Sequence, residues 1–357
     1  MQYKNHAPDL PEGKPMKRLS TRTLIGVVAL TSLALAGCGG ARSGGDGETF
    51  TLKFAHVTTE NTPKGQAAVW FQEKLEERTD GRIKVEVYPN SELYGDKDEL
   101  QAIQSNGVQM LAPASAKFTP IAPATQVLDL PFLFETPEDI PSVAAPDTAV
   151  GKTIYSNPQL EKKGMKVVGL WDNGFKQIHS NNKTLSPADM KGKSYRIQPS
   201  DVLKSQINAW GGKASPLAFA EVYNALQQGL IDGGENTYSN IESQNMHTVQ
   251  KHITESNHGY IGYILVVNTE FYDSLPKDLQ ETLLETAKDA SEYNRAGATK
   301  VNAEAKKTIE KEGTTEIHEL TDEQRKAFKD AVVPSIYEQY RDVIGDDIID
   351  EVLAGQK

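Results

Sequence analysis

One arginine in this chain has the chemistry and the setting to hold an anion. Arg196 lies in the segment YRIQ, which alternates in the manner of a β-strand. Its guanidinium presents two parallel N–H donors that match the two oxygens of a carboxylate, and this charge-assisted pair is stronger and more directional than a lysine contact. Arg196 is therefore a candidate carboxylate-binding residue, with an ordinary exposed strand arginine as the alternative.

The seven histidines form no recognisable metal or catalytic motif in the sequence. His247 and His252 are five residues apart and cannot share a helix face well, and neither HExxH nor paired cysteines accompany them. A P-loop, a GxSxG nucleophile motif and a GxGxxG turn are also missing. We therefore expect solvated or structural histidines, no metal, no cofactor and no enzymatic activity.

The charge of the chain requires any anion site to be built from local cations. The 357 residues are 38% hydrophobic and 24% charged, which is typical of a soluble globular protein with room for two domains. Without residues 1–37, 33 Lys and Arg remain against 47 Asp and Glu, a formal net charge of −14. This acidity argues against nucleic acid as a partner and repels anions at long range.

The N-terminus has the pattern of an export signal with a lipid attachment site. Basic residues from Lys17 to Arg22 precede the apolar run from Leu24 to Ala36, whose helix would be only about 20 Å long, short of the roughly 30 Å bilayer core. A cleaved signal is therefore predicted. The following Leu-Ala-Gly-Cys resembles the bacterial lipobox, which predicts lipidation of Cys38; an incidental buried cysteine is the alternative. Residues 1–15 are a candidate upstream extension before the true start codon.

A short flexible tether is predicted after Cys38. Gly39–Gly47 is rich in Gly, Ser and Asp, and its reach is about 15–18 Å. Since Cys38 is the only cysteine, the folded part has no intrachain disulfide and depends on packing for stability. We therefore expect an exported protein that is held close to the membrane and faces the extracellular space or periplasm.

The segments around Arg196 predict two sets of alternating strands and helices, an α/β pattern. The first set comprises a strand at 50–56, a helix capped by Thr62 that starts at Pro63 and ends at Arg78, a strand at 83–87, a helix from Gly95 to Ser105 and a strand at 108–112. The second set comprises the strand KQIHS, a helix start at Ser186-Pro187, the strand YRIQ, helices near Leu203 and at 219–228, and the strand GYILVV.

One long helix is predicted from Pro276 to Glu312. Apolar residues recur there at helical spacing, and Gly313 follows as a stop. A continuous helix would be about 55 Å long, and the alternative is two helices broken near Gly297. A capping box at Thr321–Gln324 then opens a helical C-terminal segment.

Residues 174–263 resemble the ligand-binding half of the DctP-type solute-binding proteins of tripartite ATP-independent periplasmic (TRAP) transporters. The matching pieces are NGFKQI, KGKSYRIQ, FAEVYNALQQGLIDGGEN and MHTVQKHITESNHGYIGY. Upstream, FAHVTTENTPKGQAA, GRIKVEVYPNSELYGD and VLDLPFLF extend the resemblance from Thr49 essentially to the C-terminus. The resemblance implies a receptor for small carboxylates.

The implied fold is a two-lobed α/β fold of the periplasmic-binding-protein type (type II-like, Venus flytrap), with the long helix bracing both lobes. Lobe I is expected to comprise residues 49–171 and about 265–310, and lobe II residues 172–264 and about 311–357. A signal peptide at 1–37 and a lipidated tether at 38–48 precede them.

The resemblance also implies roles for individual residues. Arg196 matches the family arginine that binds the ligand carboxylate through a two-pronged salt bridge, and Asn236 in GGEN matches an asparagine that donates to the same carboxylate. Phe219 matches an aromatic residue that packs against the ligand, with core packing as the alternative. Gly234 stands where many relatives have Gln, with little effect expected, and Glu235 is expected to be a structural acceptor.

The implied ligand is a C4-dicarboxylate: malate, succinate or fumarate. Lys176 in NGFKQ resembles this branch of the family, because relatives that bind larger acids often have arginine there. A dicarboxylate needs a second cation distant from Arg196, and Lys64 in TPKG is the other candidate, with a solvated helix-start lysine as the alternative. By the same resemblance, further residues near the cleft are Ser115, Asp172 and Tyr238.

The expected partners are a small organic acid, the TRAP membrane permease subunits and, through the lipid anchor, the membrane; a monomer is expected. Three alternatives stay open. In the first, the ligand is a larger monocarboxylate or sugar acid. In the second, the partner is a sensor kinase instead of a transporter. In the third, the chain is an exported lipoprotein enzyme.

Overall fold

The structure is a computed structural model that describes residues 48–355. The predicted signal peptide, the lipidation site Cys38 and the tether Gly39–Gly47 lie outside the described residues. In the described part, no helix combines the length and the apolar composition needed to cross a bilayer.

Two sheets organise residues 48–355. Their strands are β1 (Phe50–Ala55), β2 (Ile83–Tyr88), β3 (Met110–Leu111), β4 (Met165–Phe175), β5 (Gln177–Ser180), β6 (Ser194–Ile197), β7 (Lys213–Pro216), β8 (Gly233–Asn236), β9 (His252–Glu255), β10 (Tyr260–Asn268) and β11 (Glu316–Glu319). The first sheet has the order β2-β1-β3-β10-β4, and the second has the order β11-β9-β5-β8-β6-β7.

Helices connect the strands and pack around both sheets. They are α1 (Pro63–Arg78), α2 (Glu99–Gln104), α3 (Asp139–Val143), α4 (Ala149–Tyr155), α5 (Pro158–Lys162), α6 (Asp201–Ala209), α7 (Val222–Gln227), α8 (Tyr238–Ser243), α9 (Thr269–Ser274), α10 (Lys277–Glu312), α11 (Asp322–Asp330), α12 (Ser335–Gln339), α13 (Arg341–Ile344) and α14 (Asp346–Gly355). Short 3-10 segments lie at Ser115–Phe118, Pro123–Asp129, Pro187–Met190, Phe219–Glu221 and Met246–Val249.

Local capping signals place several helix starts where the sequence predicts them. Helix α1 begins at Pro63, and the Thr62 hydroxyl accepts a hydrogen bond from the Gly65 N–H at 3.2 Å. The capping box at Thr321–Gln324 is present at the start of α11. These predictions are confirmed because they depend only on residues within one turn.

Two predicted elements are wrong in extent. Helix α2 begins at Glu99, four residues after the predicted start at Gly95, because a turn at 95–98 directs the Asp96 carboxylate inward, where it accepts from the Phe219 N–H at 2.6 Å. Strand β3 covers only Met110–Leu111, since Pro113 has no N–H with which to extend the ladder. Strands β4, β7, β8, β9 and β11 have no counterpart among the predicted strands.

Helix α10 is continuous over 36 residues, about 54 Å. Gly297 lies inside it, so the alternative of two broken helices is wrong. Leu283 and Ala287 pack into the core of the first sheet, whereas Ile309 packs with Ile241 and Ile253 beside the second sheet. Gly313 ends the helix in a left-handed conformation with φ 66°. One helix therefore braces both halves of the fold, as predicted.

Strands β4 and β10 pair antiparallel along most of their length in the first sheet. Strand β10 is longer than the predicted strand GYILVV, and β4 has no counterpart among the predicted strands. The predicted lobe boundaries at 171/172 and 264/265 consequently fall inside two paired strands, and the chain crosses from the first sheet to the second directly after Phe175.

Candidate functional site

Arg196 is a buried cation without a carboxylate partner among the described residues. It lies in β6, between β8 and β7, and is 3% exposed. Its Nε and Nη2 atoms donate to the Leu217 carbonyl at 3.1 and 2.9 Å. Burial lowers the pKa of Arg196 to about 10, so the side chain stays charged at neutral pH. Because an isolated buried charge is costly, this position favours a bound anion.

Asn236 ends β8, the strand beside Arg196. Its Oδ1 atom accepts from the Thr237 N–H at 3.0 Å and from Asn240 Nδ2 at 2.9 Å. This orientation leaves the Nδ2 atom as a donor. The amide therefore offers N–H groups to an anion on the same side as the guanidinium.

Gly234 creates the space beside Arg196. A Cβ atom at this position would lie 2.8 Å from His179 Nε2 and 3.5 Å from the Arg196 Cβ. His179 is buried, and desolvation lowers its pKa to about 4, so the imidazole is neutral. A side chain at position 234 requires His179 to move, and the packing behind Arg196 therefore depends on this glycine.

A small cavity between the two sheets contains Arg196, Asn236 and Phe219 in its lining. The other lining residues are Val57, Thr58, Asp96, Ala114, Lys117, Gln198, Asn240 and Tyr263. Its volume is about 20 Å³, and a single water molecule needs roughly 10–15 Å³. The cavity is thus too small for an organic acid until its walls separate.

Hydrogen bonds hold the two walls of the cavity together. The Asp96 carboxylate accepts from the Phe219 N–H at 2.6 Å. On another part of the interface, the Gln126 Oε1 atom accepts from the N–H groups of Asp201 and Val202 at 2.8 and 3.1 Å. These bonds join segments next to the first sheet to segments next to the second.

A neutral cluster of two lysines and two carboxylates borders the cavity on the side of the first sheet. Lys117 donates to Glu99 at 2.8 Å and also contacts Asp96. Lys64 donates to the Ala112 carbonyl at 3.1 Å, and its ammonium lies 3.8 Å from the centre of the Tyr263 ring. All four side chains are almost fully withdrawn from solvent.

Burial determines the titration of this cluster. Desolvation lowers the pKa of Lys64 to about 7 and raises the pKa of Glu99 to about 7, and the attraction between the two opposes both shifts. The pKa of Lys117 is also lowered, first by burial and then by the charges of Lys64 and Arg196. The two positive charges of the cluster are balanced by two carboxylates, whereas Arg196 is not balanced.

Lys176 is buried in an ion pair and does not line the cavity. Its ammonium lies 2.7 Å from Glu235 Oε1, and Glu235 Oε2 also contacts His258 Nε2 at 2.8 Å and Gln206 Nε2 at 2.9 Å. Burial opposes the charge of Glu235, but Lys176 and His258 outweigh it and lower the pKa of this carboxyl group. Lys176 thus satisfies a carboxylate of the protein itself.

The remaining predicted residues, Ser115, Asp172 and Tyr238, do not line this cavity. Ser115 donates to Asp129 Oδ1 at 3.1 Å. Asp172 accepts from Arg295 Nε at 2.8 Å and from the Tyr260 hydroxyl, and with Tyr238 it lines a separate cavity of about 240 Å³ beside α10. The structure therefore brings together Arg196, Asn236 and Phe219, and it places Lys64 behind the Tyr263 ring.

Sequence reasoning missed Lys117 and Asp96, which line the cavity. Both lie close to residues or segments that it noted, since Lys117 is two positions after Ser115 and Asp96 ends the segment GRIKVEVYPNSELYGD. Their pairing across 21 positions had no periodic signal.

Comparison with known proteins identifies the family. The model of bacterial extracellular solute-binding proteins, family 7 (DctP), matches residues 54–342. The C4-dicarboxylate-binding periplasmic protein DctP of Rhodobacter capsulatus is 42% identical over 94% of this chain and 98% of its own length. The chain therefore belongs to this family of solute-binding receptors, and the resemblance predicted from the sequence is confirmed.

Two solved structures share the fold. A TRAP periplasmic solute-binding protein from Shewanella oneidensis with bound succinate has a TM-score of 0.82 and 36% identity, over 87% of this chain and 100% of that one. One from Pseudomonas aeruginosa PAO1 with bound L-malate has a TM-score of 0.78 and 35% identity, over 82% and 100%. The predicted two-lobed α/β fold is thereby confirmed.

Proposed function

We propose that this chain is the solute receptor of a TRAP transporter and that it binds a C4-dicarboxylate such as succinate, malate or fumarate. The observation that carries the proposal is the buried, uncompensated guanidinium of Arg196, which faces a cavity beside the donor amide of Asn236. One ligand carboxylate pairs with Arg196 and accepts from Asn236. The loss of water around this pair strengthens it, and the Phe219 ring limits the size of the acid.

Lys117 is our candidate binding partner for the second carboxylate of the ligand. It lines the cavity from the side of the first sheet, opposite the strand that carries Arg196, and it is close enough for the Arg196 charge to lower its pKa. Lys64 and Lys176 lie behind the lining, one against Tyr263 and the other against Glu235. Lys64 then acts through the shared carboxylate Glu99 and not by direct contact.

The relatives with the higher identities support a short acid over a larger one. The Rhodobacter capsulatus relative is named for C4-dicarboxylates, and the two structures described above hold succinate and L-malate. The two cations in the cavity lining, Arg196 and Lys117, fit the same choice. A sugar acid with a single carboxylate would give Lys117 no carboxylate of the ligand to bind.

We further propose that the chain is a monomer anchored through a lipid on Cys38, that it delivers the acid to separate permease subunits, and that it catalyses no reaction. A Cys38→Ser variant should lose membrane association after export while keeping affinity for the acid. Incubation with the acid should return it chemically unchanged. Release of Cys38→Ser protein no greater than that of the parent would refute the lipid anchor.

Thermal unfolding tests the ligand. Residues 39–357 are heated with succinate, malate, fumarate, sialic acid, a 2-oxo acid or an aromatic acid. Ligand at 100 times its dissociation constant adds about 2.7 kcal/mol of stability, a rise of several degrees in Tm. A rise with the C4-dicarboxylates alone supports the proposal, a rise with another acid refutes the ligand assignment, and no rise with any acid refutes carboxylate binding under these conditions.

A further inference from the structure

Two histidines and a glutamate converge at one edge of the second sheet. Strand β11 is the edge strand and pairs parallel with β9 in a register that sets His252 opposite Glu316 and Thr254 opposite His318. Because side chains alternate along a strand, His252, Glu316 and His318 lie on the same face of the sheet. His252 is 64 positions from Glu316 and 66 positions from His318, so the three residues form no local metal-binding motif in the sequence.

The three side chains direct ligand atoms to one point. His252 Nδ1 lies 3.0 Å from His318 Nε2, and Glu316 Oε2 lies 3.5 Å from the first nitrogen and 3.6 Å from the second. Zinc binds His nitrogen and carboxylate oxygen at about 2.0–2.2 Å, so neighbouring ligands of a tetrahedral ion are roughly 3.3–3.6 Å apart. The observed triangle already has nearly these dimensions.

We propose that His252, Glu316 and His318 form a binding site for a divalent transition-metal ion of the zinc type, with the fourth position open to water. Two imidazole nitrogens and one carboxylate oxygen are a donor set that suits Zn²⁺. Mg²⁺ and Ca²⁺ prefer six or more oxygen ligands, which this corner does not provide. Among the described residues this is the one group of three or more such side chains with converging ligand atoms.

A hydrogen bond between two neutral imidazoles explains only part of this arrangement. It accounts for the 3.0 Å contact between the rings, in which one nitrogen donates and the other accepts. It does not account for a carboxylate oxygen held at almost equal distances from both nitrogens. A shared ion accounts for all three positions at once.

The site is accessible and its surroundings favour a cation. The side chain of Glu316 is 65% exposed and that of His252 is 22% exposed, so an ion reaches the site from solvent. The acidic charge of the mature chain attracts cations at long range. Lys183 is the opposing feature, since its charge acts on His318.

An ion at this site ties together two distant parts of the chain. Strand β11 follows the long helix α10 and has only four residues to hold it to β9. The ion closes the chain between 252 and 316 and binds the folded state only, so it stabilises the protein. We infer that the site is a clip that fixes the chain after α10 onto the second sheet.

Calorimetric titration with Zn²⁺ tests the site on untagged protein that has been treated with a chelator. We expect one equivalent to bind, and we expect Zn²⁺ in excess to raise Tm by about 3–6 °C. Glu316→Gln, which changes an exposed side chain, and His318→Gln should each weaken Zn²⁺ binding at least tenfold. Co²⁺ should give the intense visible bands of a tetrahedral complex with the parent protein and not with these two variants.

Matched controls separate this site from general chelation and from the acid site. His247 lies 2.6 Å from Glu312 as an isolated His–carboxylate pair, so His247→Gln should leave Zn²⁺ binding unchanged. Arg196→Lys should also keep it. Mg²⁺ and Ca²⁺ should not raise Tm. The proposal is overturned if Zn²⁺ does not bind, or if Glu316→Gln and His318→Gln both bind it as tightly as the parent.

Discussion

Replacement of Arg196 by lysine is the sharpest test of the acid site, because it keeps the charge and removes the geometry. The guanidinium donates twice to the Leu217 carbonyl, which leaves its other N–H groups for a ligand in the cavity that Arg196 lines. A lysine ammonium cannot hold that carbonyl through two atoms and also present a two-pronged contact to a carboxylate. The ligand therefore loses at least one charge-assisted hydrogen bond.

The size of the effect follows from that loss. A hydrogen bond to a charged group contributes about 1.5–3 kcal/mol. Since each 1.4 kcal/mol is a factor of ten, the dissociation constant for succinate should rise by about 10- to 150-fold. The loss should be of similar size for malate and fumarate, because all three acids use the same carboxylate contact.

Isothermal titration of succinate into the parent and Arg196→Lys proteins measures the effect directly. Arg295→Lys is the matched control, because Arg295 pairs with Asp172 at 2.8 Å beside the other cavity. It should change the affinity less than about threefold. Equal affinity of the parent and Arg196→Lys, or equal losses in the two variants, would refute the role of Arg196.

Three further outcomes follow from the cluster and the buried ion pair. In the same titration, Lys117→Met should weaken the binding of succinate more than that of a monocarboxylate, and Lys64→Met should have the smaller effect. The reverse order would make Lys64 the residue that binds the second carboxylate. A bound dianion favours the protonated forms of Lys64 and Glu99, whose pKa values lie near 7. Succinate affinity should therefore fall about threefold to tenfold from pH 6.5 to 8.5. An affinity that does not change with pH would contradict the part of the cluster in binding. Lys176→Met should lower the free energy of unfolding in urea by about 3 kcal/mol and leave succinate affinity nearly unchanged, because it leaves Glu235 buried without its cation. Because the pKa of Glu235 is lowered, the contribution of the Lys176–Glu235 pair to stability is complete above about pH 4.5 and is lost only in stronger acid. If Lys176→Met instead lost succinate affinity at unchanged stability, Lys176 would belong to the acid site.

The sequence by itself determined the features that are encoded within a turn or along one face. Thr62 and Pro63 specified the start of α1, and the absence of proline from Lys277 to Glu312 allowed one unbroken helix despite Gly297. Long, ordered similarity specified the family and drew attention to Arg196 and Asn236, which the fold places on neighbouring strands of the second sheet.

The tertiary structure alone decided which charges meet. Lys176 lies in the segment NGFKQ, which resembles the C4-dicarboxylate branch of the family, yet its ammonium is paired with Glu235 at 2.7 Å. Lys117, without any motif, lines the cavity, and the Asp96 turn that holds it also shortens α2. His252 and His318 meet only because β11 pairs with β9 after the long helix. Such contacts join residues tens of positions apart, and no local spacing records them, because they depend on how sheets and helices pack and on which buried charges must find a partner.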